Sequence, residues 1–253
     1  MIYKYPETFA RFYDIIYHEV RDSTDHDYFQ KEIVNSGGKI LEVGVGTGRL
    51  FSDALNSGAD VYGLDISEEM LSVLFKKIPA GQHFRISRQN ICNFTYGHKF
   101  DLIVAPFRVM MHLTDKKDQI TALDNVYKHL NPNGKFIFDA FIPDLHQLIN
   151  GINKHMDFDG EYEPGMRIKR TVSTTPDLVN QLININFHLE WDEIEGKKAD
   201  DWFFPLRYFF RFELEHLVER SKFGSYKIYG DYKGNELNKE SKDFIVICRK
   251  NKE

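Results

Sequence analysis

The segment Lys39-Ile40-Leu41-Glu42-Val43 passes without a break into Gly44-Val45-Gly46-Thr47-Gly48, and this junction constrains the fold more than any other stretch of the chain. An apolar run of that length reads as a buried strand, and the glycines after it let the backbone bend sharply with no Cβ in the way. Arg49 to Ser57 then has helical spacing, and Gly58 stands where a helix cap belongs. Strand, glycine turn and helix in that order begin a βαβ unit and so predict a parallel sheet. In open parallel sheets a ligand binds beyond the carboxyl ends of the strands, where the strand order reverses, and the first such turn sits there. Amides exposed at the start of the following helix favour the same conclusion.

The alternation continues on both sides of this unit. Phe9, Phe12, Tyr13, Ile16 and Tyr17 have helical spacing within residues 7–20, and a second helix is predicted over 25–35. Val61 to Asp65 reads as the second strand, with Ser67-Glu68-Glu69 as a helix start. Further strands are predicted near 83–88 and 100–105, then a helix over 115–130 and a turn at Asn131-Pro132-Asn133-Gly134 leading into a strand over 135–140. After Pro143 the rhythm changes: 166–175, 180–192 and 201–209 read as successive strands, with hairpin turns at Thr175-Pro176-Asp177 and Glu195-Gly196-Lys197. Arg211 to Ser221 is helical again, and Tyr226 to Tyr232 with Asp243 to Arg249 form a closing hairpin. The expected architecture is α/β: a doubly wound, mostly parallel seven-stranded sheet built by 1–143 and 211–253, with an N-terminal helical segment. An antiparallel β insertion, 144–210, covers the crevice. Its aromatics, Trp202, Phe203, Phe204, Tyr208, Phe209 and Phe210, are expected to bury against the main domain or line a substrate pocket.

Composition removes several classes. The 33 basic and 38 acidic residues leave a net charge of −5, which gives no general field for a nucleic-acid backbone or an anionic membrane. Two cysteines, Cys92 and Cys248, cannot build a disulfide framework and fit a reducing, cytoplasmic setting. Charges among the first twenty residues leave no apolar core for a signal peptide, and the longest apolar runs fall short of the ~18 residues of a spanning helix. The sequon Asn93-Phe94-Thr95 is read as chance. No His, Cys and carboxylate set has metal spacing, and no G-x-S-x-G elbow offers a nucleophile.

The glycine spacing is G-x-G-x-G, with Arg49 where a dinucleotide fingerprint has its third glycine or alanine. Asp65 ends the second strand, where a carboxylate can accept both hydroxyls of a ribose. Both features suit an adenosine-containing ligand.

The blocks LEVGVGTGRL, VYGLDISEEML, FDLIVAPFRVMMHL and HLNPNGKFIFDAF, in that order over about 40–141, resemble the class I S-adenosylmethionine-dependent methyltransferases. The later stretch from Arg207-Tyr208-Phe209-Phe210-Arg211 through Gly230 is similar to small-molecule members with a β-rich insertion, such as sugar N-methyltransferases. The resemblance implies S-adenosylmethionine as cofactor, with Glu42, Gly44, Gly46 and Gly48 around its amino-acid moiety. It also implies Asp65 on the ribose, and Ile66 and Met70 near the adenine. Asn90-Ile91 occupies the place of an Asp and apolar pair at the adenine edge, and Phe107 joins the cofactor set. Ala105-Pro106-Phe107-Arg108 lacks the polar first residue with which nucleic-acid amino-methylating relatives hold a flipped base, so a small-molecule acceptor is expected, methylated at N or O. Arg108 either binds an anionic substrate or is salt-bridged, and Tyr13 either faces the substrate or packs its helix on the sheet. Tyr208 is placed with the substrate residues. His112 is the candidate base, its alternative being a packing residue at a helix start, and His216 is read as structural. A nicotinamide-dependent oxidoreductase and a non-catalytic nucleotide-binding protein are the competing readings. The acceptor's identity and the oligomeric state are not set by these residues.

Overall fold

The computed structural model describes residues 5–251. It begins with helices α1 (Glu7–Val20) and α2 (Thr24–Ser36), followed by β1 (Lys39–Val43), α3 (Arg49–Asn56), β2 (Asp60–Asp65) and α4 (Glu68–Lys77). Next come β3 (Ile86–Arg88), β4 (Phe100–Ala105), α5 (Lys116–His129), β5 (Leu130–Phe141) and a short α6 (Leu145–Asn150). Four long strands follow, β6 (Ile152–Glu163), β7 (Met166–Asp177), β8 (Leu182–Glu193) and β9 (Gly196–Arg207), and then α7 (Arg211–Glu219), β10 (Ser225–Tyr229) and β11 (Asp243–Arg249).

The strands form a seven-stranded sheet in the order β10-β11-β5-β4-β1-β2-β3 and a four-stranded sheet in the order β6-β7-β8-β9. β1 pairs in parallel with β2 and β4, Ile40 lying beside Val61 and Leu102, while β11 runs antiparallel to β5 and β10. Strand order reverses beside β1, so the connections leave a crevice at its carboxyl end. Ile40 to Val43 are all buried, as a central parallel strand covered on both faces requires. α4 starts where Ser67 Oγ accepts the Met70 N–H at 3.2 Å, with Glu68 and Glu69 in its first turn and Lys76 and Lys77 in its last, matching the helix dipole.

The inserted sheet shares the core of the main one. Phe158, Ile168, Leu189, Trp202 and Phe204 pack in the same buried cluster as Leu41, Val43 and Ile103, with Phe9, Phe12 and Ile16 of α1 joining them. The Phe12 ring lies 5.0 Å from Tyr162 and 5.7 Å from Trp191, and Phe9 lies 5.5 Å from Trp202. Among the described residues no helix is long and apolar enough to cross a membrane.

The fold class is the one expected, with corrections in detail. The insertion has four strands rather than three: β6 was missed because Asn153 to Met156 are exposed and polar or mixed, leaving no period to read. The β7 to β8 turn falls at 178–181, after Thr175-Pro176-Asp177, where the Asp177 carboxylate accepts the N–H groups of Val179 and Asn180 at 3.1 and 3.0 Å. Asn131 to Gly134 belong to the irregular start of β5, with Asn133 at φ 64° and a register shift against β4, because Asn133 and Gly134 exchange backbone hydrogen bonds with Lys250. The first half of the expected strand near 83–88 is the end of a 3-10 turn over Ala80–Arg85, and the second half is β3. Of the insertion's aromatics, Phe203 is exposed because β9 alternates its faces there, and Phe210 is exposed beyond the end of β9, at the N-cap of α7.

Phe12→Ala should destabilise the protein by about 3–5 kcal/mol, because it removes a fully buried ring from the joint between α1 and the insertion. Urea unfolding followed by far-UV dichroism and by fluorescence of Trp191 and Trp202 should give one coincident transition. Separate transitions would show that the insertion does not share the main core.

Candidate active site

The crevice at the end of β1 is a cleft of about 240 Å³ whose floor is the glycine turn and whose walls come from β2, the 89–92 loop and the segment after β4. Gly44, Gly46 and Gly48 have φ of 72°, 55° and 83°, values that L side chains rarely adopt. A Cβ on Gly44 would stand 2.4 Å from Val109 Cγ2, and one on Gly48 would stand 2.2 Å from Leu74 Cδ1. The turn is held against β2 by the Gly44 and Val45 N–H groups, which donate to the Leu64 carbonyl at 2.8 and 3.0 Å. Gly48 caps α3 from behind this lining, so its role is in packing rather than in forming the cleft wall.

Four acidic residues line the cleft, Asp115 and Asp118 at the start of α5 and Glu42 and Asp65 on β1 and β2. Asp65 is fixed by amides: Gly46 N–H donates to Oδ2 at 2.9 Å and Ser67 N–H to Oδ1 at 2.8 Å. Burial nevertheless raises its pKa against the lowering effect of those donors. Glu42 is 1% exposed, and its Oε2 is buried with no hydrogen-bond partner. Burial holds the Glu42 pKa well above the usual carboxylate range, with Arg49 lowering it and the Asp65 charge raising it further. A buried acceptor with no donor is costly.

Ile66, Met70, Asn90, Ile91 and Phe107 line the same cleft. Asn90 closes the loop locally, its Oδ1 accepting the Cys92 N–H at 2.8 Å. Phe107 has φ 59°, and its ring carries the Arg49 guanidinium 4.0 Å from its centroid. α1 supplies the cover: Tyr13 lines the cleft with Tyr5, which lies 4.0 Å from the Trp202 ring. Asp14 ties that helix to the turn, accepting from Thr47 Oγ1 at 2.7 Å and from Lys77, while Lys77 Nζ also donates to the Thr47 carbonyl at 2.9 Å. His112 opens into the cleft beside Phe204, the rings 5.9 Å apart, and desolvation lowers its pKa to about 4. The imidazole is therefore neutral at ordinary pH.

Two expected substrate residues lie elsewhere. Arg108 turns away from the cleft and pairs with Asp139 at 3.1 Å and Asp243 at 2.7 Å, which is its salt-bridged alternative. Tyr208 is buried beside Phe210, its N–H donating to the Gln181 carbonyl at 3.1 Å; β9 ends before it, and the chain carries it past the cleft. Sequence reasoning did not bring Tyr5, Arg49, Val109, Leu113 and Thr114 to the site. Only Arg49 had a signal, its place directly after Gly48. Among the described residues no group of His, Cys, Asp and Glu could hold a metal ion.

Residues 40–134 match the family model described as a methyltransferase domain. A curated relative, an uncharacterized methyltransferase of Bacillus cytotoxicus, is 35% identical over 134 residues, covering 52% of this chain and 60% of that protein's length. The chain thus spans little more than half the length of such relatives. An S-adenosylmethionine-dependent methyltransferase from Clostridium acetobutylicum superposes with a TM-score of 0.74 at 22% identity, over 96% of this chain and 98% of that one. A sugar N-methyltransferase from Streptoalloteichus sp gives a TM-score of 0.75 at 13% identity, over 95% and 93%. Residues 40–134 thus match a methyltransferase domain, and the whole chain shares its fold with solved S-adenosylmethionine-dependent methyltransferases.

The His112 ring protons, assigned by their absence in His112→Gln, should not titrate in NMR spectra between about pH 8 and about pH 5. A midpoint near the ordinary ~6.5 would show a hydrated ring outside the cleft.

Proposed function

We propose that the chain binds S-adenosylmethionine at the glycine turn and catalyses transfer of its methyl group to a small-molecule acceptor, at N or O, held beneath α1 and the inserted sheet. The observation that carries this reading is the unpartnered, buried Glu42 Oε2 beside amide-fixed Asp65. An ammonium group satisfies the first and a ribose diol the second, and a G-x-G-x-G backbone with few side chains in the way lets both ends of one ligand approach. Binding a cation at Glu42 also favours the ionised carboxylate against burial.

The cofactor supplies a methyl group already made electrophilic by its sulfonium. The protein's part is alignment: Glu42, the glycine turn and Asp65 set the donor's position, Phe107 and Met70 pack against it, and Tyr5, Tyr13 and Trp202 exclude water above. Neutral His112 can take a proton from an acceptor without first losing its own. The likeness in fold to a sugar N-methyltransferase supports an amine-bearing small molecule as the acceptor class.

Calorimetry with S-adenosylhomocysteine tests the first part. Binding should be measurable for the wild type and roughly tenfold or more weaker in Asp65→Ala, which loses charge-assisted hydrogen bonds. Preferential binding of NAD(H) would establish the oxidoreductase alternative, and cofactor binding without methyl transfer to any member of a metabolite pool would establish the non-catalytic one. Once an acceptor is in hand, His112→Ala should slow an amine reaction modestly and a hydroxyl reaction by about 10²–10⁴-fold. An unchanged rate would leave alignment as the whole of catalysis.

A further inference from the structure

Behind Phe107 lies a buried charge cluster that the cleft chemistry does not use. Asp139, on β5, is fully buried, and its carboxylate is the only acidic group that meets both the main chain and the side chain of Arg108 among the described residues. Arg108 N–H donates to Oδ1 at 3.1 Å, and its guanidinium donates to Oδ2 at 3.1 Å. Tyr232 O–H also donates to Oδ2, at 2.8 Å. These bonds clamp a backbone that sterics disfavour, since Phe107 and Arg108 follow one another at φ of 59° and 68°. Neither is a glycine, and such conformations persist only where surrounding structure over-determines them.

The clamp has one visible result in the cleft. The two left-handed residues turn the chain at the end of β4 so that the Phe107 ring enters the cleft while the Arg108 side chain leaves it. The ring is then braced by the Arg49 guanidinium at 4.0 Å and by Phe29 of α2 at 6.1 Å, and Arg49 is itself 3.5 Å from Asp25 Oδ1. Asp25 stands 3.8 Å from Arg108 as well, so the cluster holds both the ring and the cation stacked on it. We infer that Asp139 is a positioning residue for cofactor binding: by accepting the Arg108 N–H and guanidinium it holds the left-handed Phe107–Arg108 turn that places Phe107 and Arg49 in the cleft. This rests on the cleft being the cofactor site.

The experiment measures S-adenosylhomocysteine affinity by calorimetry at a temperature where circular dichroism shows each variant folded. Asp139→Ala should weaken binding by about tenfold or more, whereas Asp139→Asn, which keeps an acceptor for the Arg108 N–H, should lose less. Glycine adopts positive φ without a clamp, so Asp139→Ala combined with Arg108→Gly should recover most of the lost affinity. Tyr232→Phe, which removes one donor at the edge of the cluster and leaves the chain otherwise intact, should weaken binding by about threefold even if Asp139→Ala does not fold. Unchanged affinity in folded Asp139→Ala or in Tyr232→Phe, or a loss that the glycine does not repair, would reduce Asp139 to a purely structural ion pair. A wild type that binds no S-adenosylhomocysteine would instead overturn the assignment of the cleft itself, and with it this role for Asp139.

Discussion

The site depends on a left-handed backbone path that leaves no room for a side chain at either end. Gly44, Gly46 and Gly48 all have positive φ, and side chains at the first and last would collide with Val109 and Leu74. Because the turn takes this path, its amides reach the Leu64 carbonyl and the Asp65 carboxylate, which locks the ends of β1 and β2 together. That lock brings Glu42 and Asp65 into one desolvated space, where burial raises both pKa values and the Asp65 charge further disfavours ionisation at Glu42. Two acceptors held this way are a poor arrangement for an empty protein and a good one for a ligand rich in donors.

What covers the cleft is inseparable from what stabilises the molecule. α1 sends Phe9, Phe12 and Ile16 into the core shared by both sheets, while Tyr13 on the same helix looks into the cleft. The helix is tied to the glycine turn through Asp14, Thr47 and Lys77, so floor and cover are bonded to each other as well as packed. The inserted sheet contributes Trp202 from its buried face, and its outer face carries polar side chains such as Asn184 and Glu190 together with the exposed Phe203.

Arginine is used here mainly to hold geometry. Arg170 is bidentate to Asp157 at 3.0 and 2.7 Å and lies between the rings of Tyr17 and Phe187 at 4.9 and 4.5 Å, fixing the inserted sheet against α1. Arg108 does the same between β4, β5 and β11. Buried ion pairs return little net stability after desolvation, but breaking one is expensive, so such pairs specify one arrangement over its neighbours. Here that arrangement determines which aromatic rings enter the cleft.

Local sequence alone determined the alternation of strands and helices, the glycine turn, Asp65 at the end of β2 and the closing hairpin, because each is set by short-range sterics, capping and periodicity. That Glu42, Ile66, Met70 and Asn90 would share one cleft wall was expected from the resemblance of the sequence blocks rather than from local propensity, every one of them lying within a few positions of a strand end. The sequence could not tell that Arg108 turns outward while Phe107 turns inward, since that choice is made by Asp139 and Asp243, far along the chain and adjacent only through the sheet. Nor could it separate Trp202, which reaches the cleft, from Tyr208, which does not, because strand length and register in the insertion decide where each aromatic ends. Long-range pairing, rather than local propensity, therefore decided which of the candidate residues meet.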